Sequence, residues 1–409
     1  MTRTATHARR PRWRAAGVAV ACAAVACAAA AADNDAAAEV SAGGVVTFGL
    51  RSDHHADALA LGLMGRGHWH RREWAQVSPR AGDNLAQIDD EARLGWQQRG
   101  GAFDGWQIAV LARSQATLVA SHDALALAAQ VARGHTLAAD TDWQTRVRLR
   151  AFTGAGLALG RAQALGFVPA PGRWQAAWEV QALALGRWRQ RDIDGPVHLD
   201  AATQRYGFAL ASNEADNRLN LPFQQPAGRH GAGLLLAGRV DWQGEASPAG
   251  WTPWARLALR DGGWLRWRGL PQQQATLDTA TAGTDADGFL VYAPLIQGQN
   301  RQSTVTRWQP WRAALAAGVE LPDGQRLGGR LDTVPGWHAA LPSLTWQRPA
   351  ASATASGWTG LGLAAEWQLH QRRLTLGVDW RGLSLQAGAD RLGGDARSRV
   401  WALAWRQAL

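Results

Sequence analysis

The sequence predicts an all-β protein, a closed antiparallel up-and-down transmembrane β-barrel of about 16 strands (roughly 14–18). Three observations carry that expectation. Apolar and polar residues alternate with period two over segments of about 8–17 residues, the spacing of a strand with a different environment on each face. Tryptophan is crowded, 23 against 2 Tyr and 7 Phe, and sits toward the ends of those segments. The N-terminal segment reads as an export leader that carries both cysteines of the chain.

Composition excludes other classes. A chain that is 46% hydrophobic and only 19% charged is too apolar for disorder. Beyond the leader no run approaches ~18 uninterrupted apolar residues, so membrane-spanning helices are not expected. All 43 basic residues are Arg and none is Lys, and Trp takes positions that Tyr or Phe would often fill.

Residues 1–32 form the leader, expected to be cleaved: Arg3, Arg9, Arg10, Arg12 and Arg14 precede the apolar run Ala15–Ala26, and small residues follow to Ala32. Removing those five arginines from a formal +10 leaves +5, and Cys22 and Cys27 leave with them. Stability must then come without disulfides. Residues 33–44 read as a mobile polar lead-in, and 45–409 as a single barrel.

The first stretch of the barrel, 51–91, is the least regular and is expected to be a loop, a plug or irregular strands. Ser121–Arg133 spaces its apolar residues as a short helix, with Ser121 or Asp123 as N-cap and Gly134 as stop, and only slightly less well as a strand. The clearest strand is 143–159, where Trp143, Val147, Leu149 and Leu157 share one face and Arg146, Arg148 and Arg150 the other. The same alternation marks 174–189, 234–242, 264–268, 361–370, 374–380 and 401–406. Asp261-Gly262-Gly263, Pro322-Asp323-Gly324, Arg381-Gly382 and Gly393-Gly394 are read as tight turns. The 377 residues after position 32, at roughly 20–24 per strand and connection, accommodate about 16 strands.

Alternation does not say which face is inside. The apolar faces are thin and built of Leu, Ala and Val, the Trp residues lie where a hydrocarbon–water boundary would fall, and the opposite faces carry Arg, Gln, Glu and Gly. In these features the chain resembles a Gram-negative outer-membrane β-barrel of the porin-like type over about 45–409. In that group the last strand ends in alternating apolar residues that the barrel assembly machinery reads. Trp401, Leu403 and Trp405 fit, while Gln407 falls on the apolar face and Leu409 replaces the usual aromatic. The resemblance implies an outer-membrane location, with membrane lipid, the assembly machinery and small hydrophilic solutes as partners.

Arg146, Arg148, Arg150, Arg187, Arg189, Arg256, Arg266 and Arg268 are expected on lumen faces, as rows that attract anions or brace the wall against Glu179, Asp241, Glu366 and Asp379. His54, His55, His68 and His70 lie close in sequence but have no spacing that completes a ligand set, so no metal is expected. Ser121-His122-Asp123 holds the letters of a triad, yet adjacent side chains diverge, and no catalytic residue or cofactor is expected. Arginines divided by strand face do not form one nucleic-acid patch. The expected function is a channel for small hydrophilic solutes, with anions as one candidate class. Alternatives are a plugged structural or export barrel and a soluble secreted sugar-binding protein.

Overall fold

The alternating segments become a sheet without a free edge. The computed structural model describes residues 43–64, 71–166, 171–221, 230–280, 282–284, 290–292, 295–350 and 360–409. Residues 1–42, which include the expected leader and most of the expected lead-in, and His68 and His70 lie outside them. Strand β1 (Gly43–Ala56) pairs with β2 (Asp83–Arg99), and the wall continues through β3 (Trp106–Ser121), β4 (Thr141–Ala164) and β5 (Arg173–Asp200). The next place is shared: β6 (Arg205–Asp216) and β7 (His230–Gln243) lie one after the other between β5 and β8 (Thr252–Asp278). A short ribbon of β9 (Ala282–Thr284) and β10 (Leu290–Tyr292) stands in the following connection. The far side of β8 is again shared, by β11 (Ile296–Gln309) and β12 (Arg312–Glu320), with Pro310 and Trp311 between them.

From β12 the meander runs through β13 (Arg326–Asp332), β14 (Leu341–Arg348), β15 (Leu361–Gln368), β16 (Arg373–Trp380), β17 (Leu383–Ala389) and β18 (Ser398–Ala408). Strand β18 pairs with β1 from Val45↔Ala408 to His55↔Ser398 and closes the barrel. The wall therefore has fourteen positions, two of them each filled by two successive strands. Every neighbour is antiparallel, as expected of an up-and-down barrel.

The expected helix is α3 (His122–Arg133), capped by Ser121, whose side chain accepts from Ala124 N, and stopped by Gly134 in the left-handed region. Two four-residue helices, α1 (Leu61–Met64) and α2 (Arg71–Trp74), occupy the β1–β2 connection. All three lie at one end, the helical end; tight turns such as 100–105 and 381–382 lie at the other. Residues 51–91 are thus not one irregular segment: 51–56 belong to β1 and 83–91 to β2. Leu125 and Ala129 of α3 pack on Ala86 and Ala120, with Leu118 and Val147 beside them. Those residues share the outward strand face, so α3 lies against the outside of the wall and not in the lumen.

Exposed Leu94, Val110 and Leu157 pair across β2, β3 and β4, and the band continues through Leu234, Leu257, Leu315, Leu331, Leu344, Leu376 and Leu385. Tryptophans bound it. Near the short-turn end stand Trp96, Trp106, Trp178, Trp242 and Trp380; nearer the helical end stand Trp264, Trp308, Trp367 and Trp401. Trp106 meets Trp178 edge-on at 5.7 Å, and Trp264 meets Trp308 at 4.7 Å. Among the described residues no helix is long and apolar enough to cross a membrane.

Among the described residues three bulges shift the alternation. One lies in β5 at Gly186, opposite Thr153 and Gly154; two lie in β8, at Arg260-Asp261 and at Arg268-Gly269. The sequence Asp261-Gly262-Gly263, read as a tight turn, is the first of the β8 bulges inside a continuous strand. Asp261 (φ 69°) and Gly263 (φ 155°) take positive φ there, and a Cβ at Gly263 would overlap the Leu234 carbonyl.

Candidate functional site

The interior contains two layers of different chemistry. On the inner faces of β3, β4, β5, β7 and β8, Leu111, Phe152, Leu183, Leu185, Trp188, Leu235, Leu265 and Trp267 form one buried apolar cluster. Each such side chain, fully buried, stabilises by roughly 1.5–3 kcal/mol. Beside it lies a layer of charge. The second β8 residue of the Arg260-Asp261 bulge turns inward along with the first, placing Asp261 Oδ1 2.6 Å from Arg113 Nη1 of β3. Arg312 Nη1 of β12 lies 2.8 Å from Asp89 Oδ2 of β2, and its Nε 3.6 Å from Asp261 Oδ2. These four side chains are only 1–6% exposed.

Amides extend the layer: Gln115 donates to Asp261 Oδ2 at 3.2 Å, Gln309 to Gln115 Oε1 at 2.9 Å, and Arg113 to Gln181 Oε1 at 3.1 Å. Arg93 pairs with Glu179, and Arg373 Nη1 with Asp53 Oδ1 at 2.7 Å. Apart from Arg312 and Asp261, on neighbouring β12 and β8, these pairs join strands two to six places apart in the ring. They bridge the lumen from wall to wall.

At the helical end the 333–340 connection folds inward. Val334, with Trp337 beside it, packs on Leu85 and Val119 of the inner β2 and β3 faces. Trp337 lies 5.8 Å, edge-on, from His370 of the β15–β16 connection. His370 Nε2 is 3.0 Å from Asp57 Oδ1, His55 Nε2 is 3.1 Å from the same oxygen, and Arg80 Nη1 is 2.7 Å from it. Leu85 N donates to Asp57 Oδ2 at 2.9 Å. Burial alone would raise the Asp57 carboxyl, but the hydrogen bonds from His370, His55 and Leu85 outweigh it and hold the group well below the usual carboxylate range. This cluster joins residues 315 positions apart, which is why spacing along the chain gave no hint of it.

The eight arginines divide evenly. Arg146, Arg148 and Arg150 face inward, Arg150 lying 2.7 Å from Asp192, and Arg256 faces inward and pairs with Asp241. The other four lie outside, correcting the expectation that they line the lumen. Beyond the Gly186 bulge Trp188 takes the inner face, so Arg187 and Arg189 turn outward to Asp216 and Glu214. Arg266 and Arg268 alternate with buried Leu265 and Trp267 and share the outward face with Trp264. The missed interior arginines, Arg113 and Arg312, carried no separate signal, since each stands alone in its strand.

A polar cleft of about 560 Å³ opens on the inner face at the helical end, between β5, β6, β8 and β11. Asp192, Asp194, Asn213, Gln274, Gln297 and Gln299 line it. Gln299 donates to Gln274 Oε1 at 3.0 Å.

Two groupings carry the residue types of a triad. Ser121 caps α3, Asp123 accepts from Gln144 N at 2.9 Å, and His122 Nδ1 sits 3.0 Å from Arg80 O. On the outward face Ser52 Oγ and Asp90 Oδ1 both meet His54 Nε2, at 3.2 and 2.9 Å. A relay needs the two partners on opposite ring nitrogens.

No protein-family model matches the chain, and no curated protein matches it.

Proposed function

We propose that the chain is an outer-membrane β-barrel that serves as a gated passage for small hydrophilic solutes, described here with its lumen bridged. The wall supports the membrane part. A band of exposed Leu and Val lies between two rows of Trp, matching the lipid-facing belt and aromatic girdles of such barrels, and a soluble sugar-binding protein would have no use for so large an apolar exterior.

The carrying observation for a passage is the chemistry that closes it. Burying ions costs several kcal/mol each, and apolar side chains of similar size would seal a barrel at no loss of stability. A bridge of Arg, Asp and Gln can instead be parted by water and re-formed. Among the described atoms, Nη2 of buried Arg312 has no hydrogen-bond partner, so the layer is not a finished core. Two carboxylates and four amides in the mouth cleft suit hydroxyl-rich neutral solutes better than anions. The reading assigns no covalent chemistry and no cofactor to the barrel.

Planar-bilayer recordings on the purified protein test it. Brief or voltage-dependent conductance steps, with neutral sugars permeating faster than anions of equal size, are expected. A barrel silent under all voltages, and silent also when the Arg312 bridge is removed, would favour a structural role in surface assembly.

A further inference from the structure

The structure assigns a second site at the helical end of the barrel: we propose that His55, Asp57 and His370 bind one Zn²⁺ or a similar divalent transition ion, in exchange for the guanidinium of Arg80. The donor atoms His55 Nε2, His370 Nε2 and Asp57 Oδ1 lie within 4.8 Å of one another, with two of the three separations at 3.1 and 3.0 Å. Donors around 2.0–2.1 Å from a common ion stand about 3–3.5 Å apart, so the triangle needs little movement to close on one. Two imidazoles and a carboxylate are the ligand set of open zinc sites, which leave a fourth position to water.

The present hydrogen bonding is overcrowded in a way an ion would relieve. Three nitrogens converge on a single carboxylate oxygen. His370 Nε2 faces both an acceptor, Asp57 Oδ1, and a donor, Arg80 Nη1 at 3.2 Å, and one ring nitrogen cannot serve both. Arg80 Nη1 thus stands where a cation would, and its side chain is 38% exposed while Asp57 is fully buried. It can swing into solvent without unfolding anything.

The tautomer of His55 is not fixed by its surroundings. Its ring is buried, yet Nδ1 has no hydrogen-bond partner among the described atoms. No donor pins the lone pair to Nδ1, so the tautomer with Nε2 free to ligate is available. Because Trp337 rests on His370, an ion here would tie β1 to the connection that supports the inward-folded 333–340 segment. The site would exist whether or not the barrel conducts.

The test is equilibrium dialysis of the tag-free, detergent-solubilised protein against Zn²⁺ alone, with Co²⁺ absorbance as the geometric probe. One ion per chain is expected, with the visible bands of a four-coordinate Co²⁺ centre. His370→Gln, on a partly exposed connection, is expected to weaken binding at least about tenfold, and Arg80→Gln to tighten it by a comparable factor by removing the competing cation. Heat-dependent gel mobility confirms that each variant is folded, and His55→Gln serves if His370→Gln is not. Failure of the wild-type protein to bind Zn²⁺, or binding unchanged in a folded ligand variant, would overturn the assignment.

Discussion

Arg312 on β12 reaches Asp89 on β2, Nη1 to Oδ2 2.8 Å, although the two strands stand six places apart in a ring of fourteen. The barrel is therefore braced across its width and not only around its circumference. Removing Arg312 takes from buried Asp89 its shortest ion pair and leaves contacts of 3.9 and 4.0 Å to Arg113 and Arg260. Arg312→Ala should lower the unfolding free energy by about 3–5 kcal/mol, read as an earlier denaturant midpoint for loss of the compact gel form. Replacing both, Arg312→Met with Asp89→Leu, should recover most of that loss. A single variant as stable as wild type would show that the bridge carries no weight.

The same pair separates a gate from a brace in conduction. Arg312→Ala should raise the open fraction in bilayer recordings, while the apolar double variant should hold the barrel shut. If both variants conduct like wild type, the layer does not control passage.

Trp337 holds the 333–340 connection over the inner faces of β2 and β3 through Val334, Leu85 and Val119. Trp337→Ala should free that connection, seen as new protease cleavage within 333–340 while the strands stay protected. An unchanged digestion pattern would place the anchoring elsewhere.

Orientation can be read with single cysteines in a Cys22→Ala/Cys27→Ala background. Leu392 in the β17–β18 connection and Arg266 are exposed at or toward the helical end, and Phe103 is exposed at the other. If the helical end faces the outside, Leu392→Cys and Arg266→Cys should react with a membrane-impermeant maleimide on intact cells, and Phe103→Cys only after lysis. The reverse pattern would invert the barrel; equal labelling of all three without detergent would argue against a membrane location.

Gly263 occupies φ 155° beneath the Leu234 carbonyl. Gly263→Ala should cost about 1–3 kcal/mol through backbone strain, measurable as a lower melting temperature of the gel-resistant form. A neutral substitution would mean that the bulge tolerates side chains.

Strand identity was legible because period-two alternation is local: a run such as 143–159 separates Arg from Leu whatever it pairs with. The α3 cap, the Pro322-Asp323-Gly324 and Arg381-Gly382 turns, and the Leu-and-Trp character of one face were readable for the same reason. What alternation cannot carry is its own phase across a bulge. One extra residue at Gly186 exchanges Trp188 for Arg187 on the inner face, and the bulges in β8 do the same around Leu265 and Trp267. Half of the predicted lumen arginines moved outside for that reason.

The sequence by itself determined strands with one apolar and one polar face and several of the tight turns between them, since those properties depend on residues a few positions apart. Only the tertiary structure decided what fills the wall. Asp89 meets Arg312, and Asp57 gathers His55, Arg80 and His370, because ring closure brings together strands hundreds of residues apart. No short-range pattern encodes which of many inward side chains will face one another across the barrel.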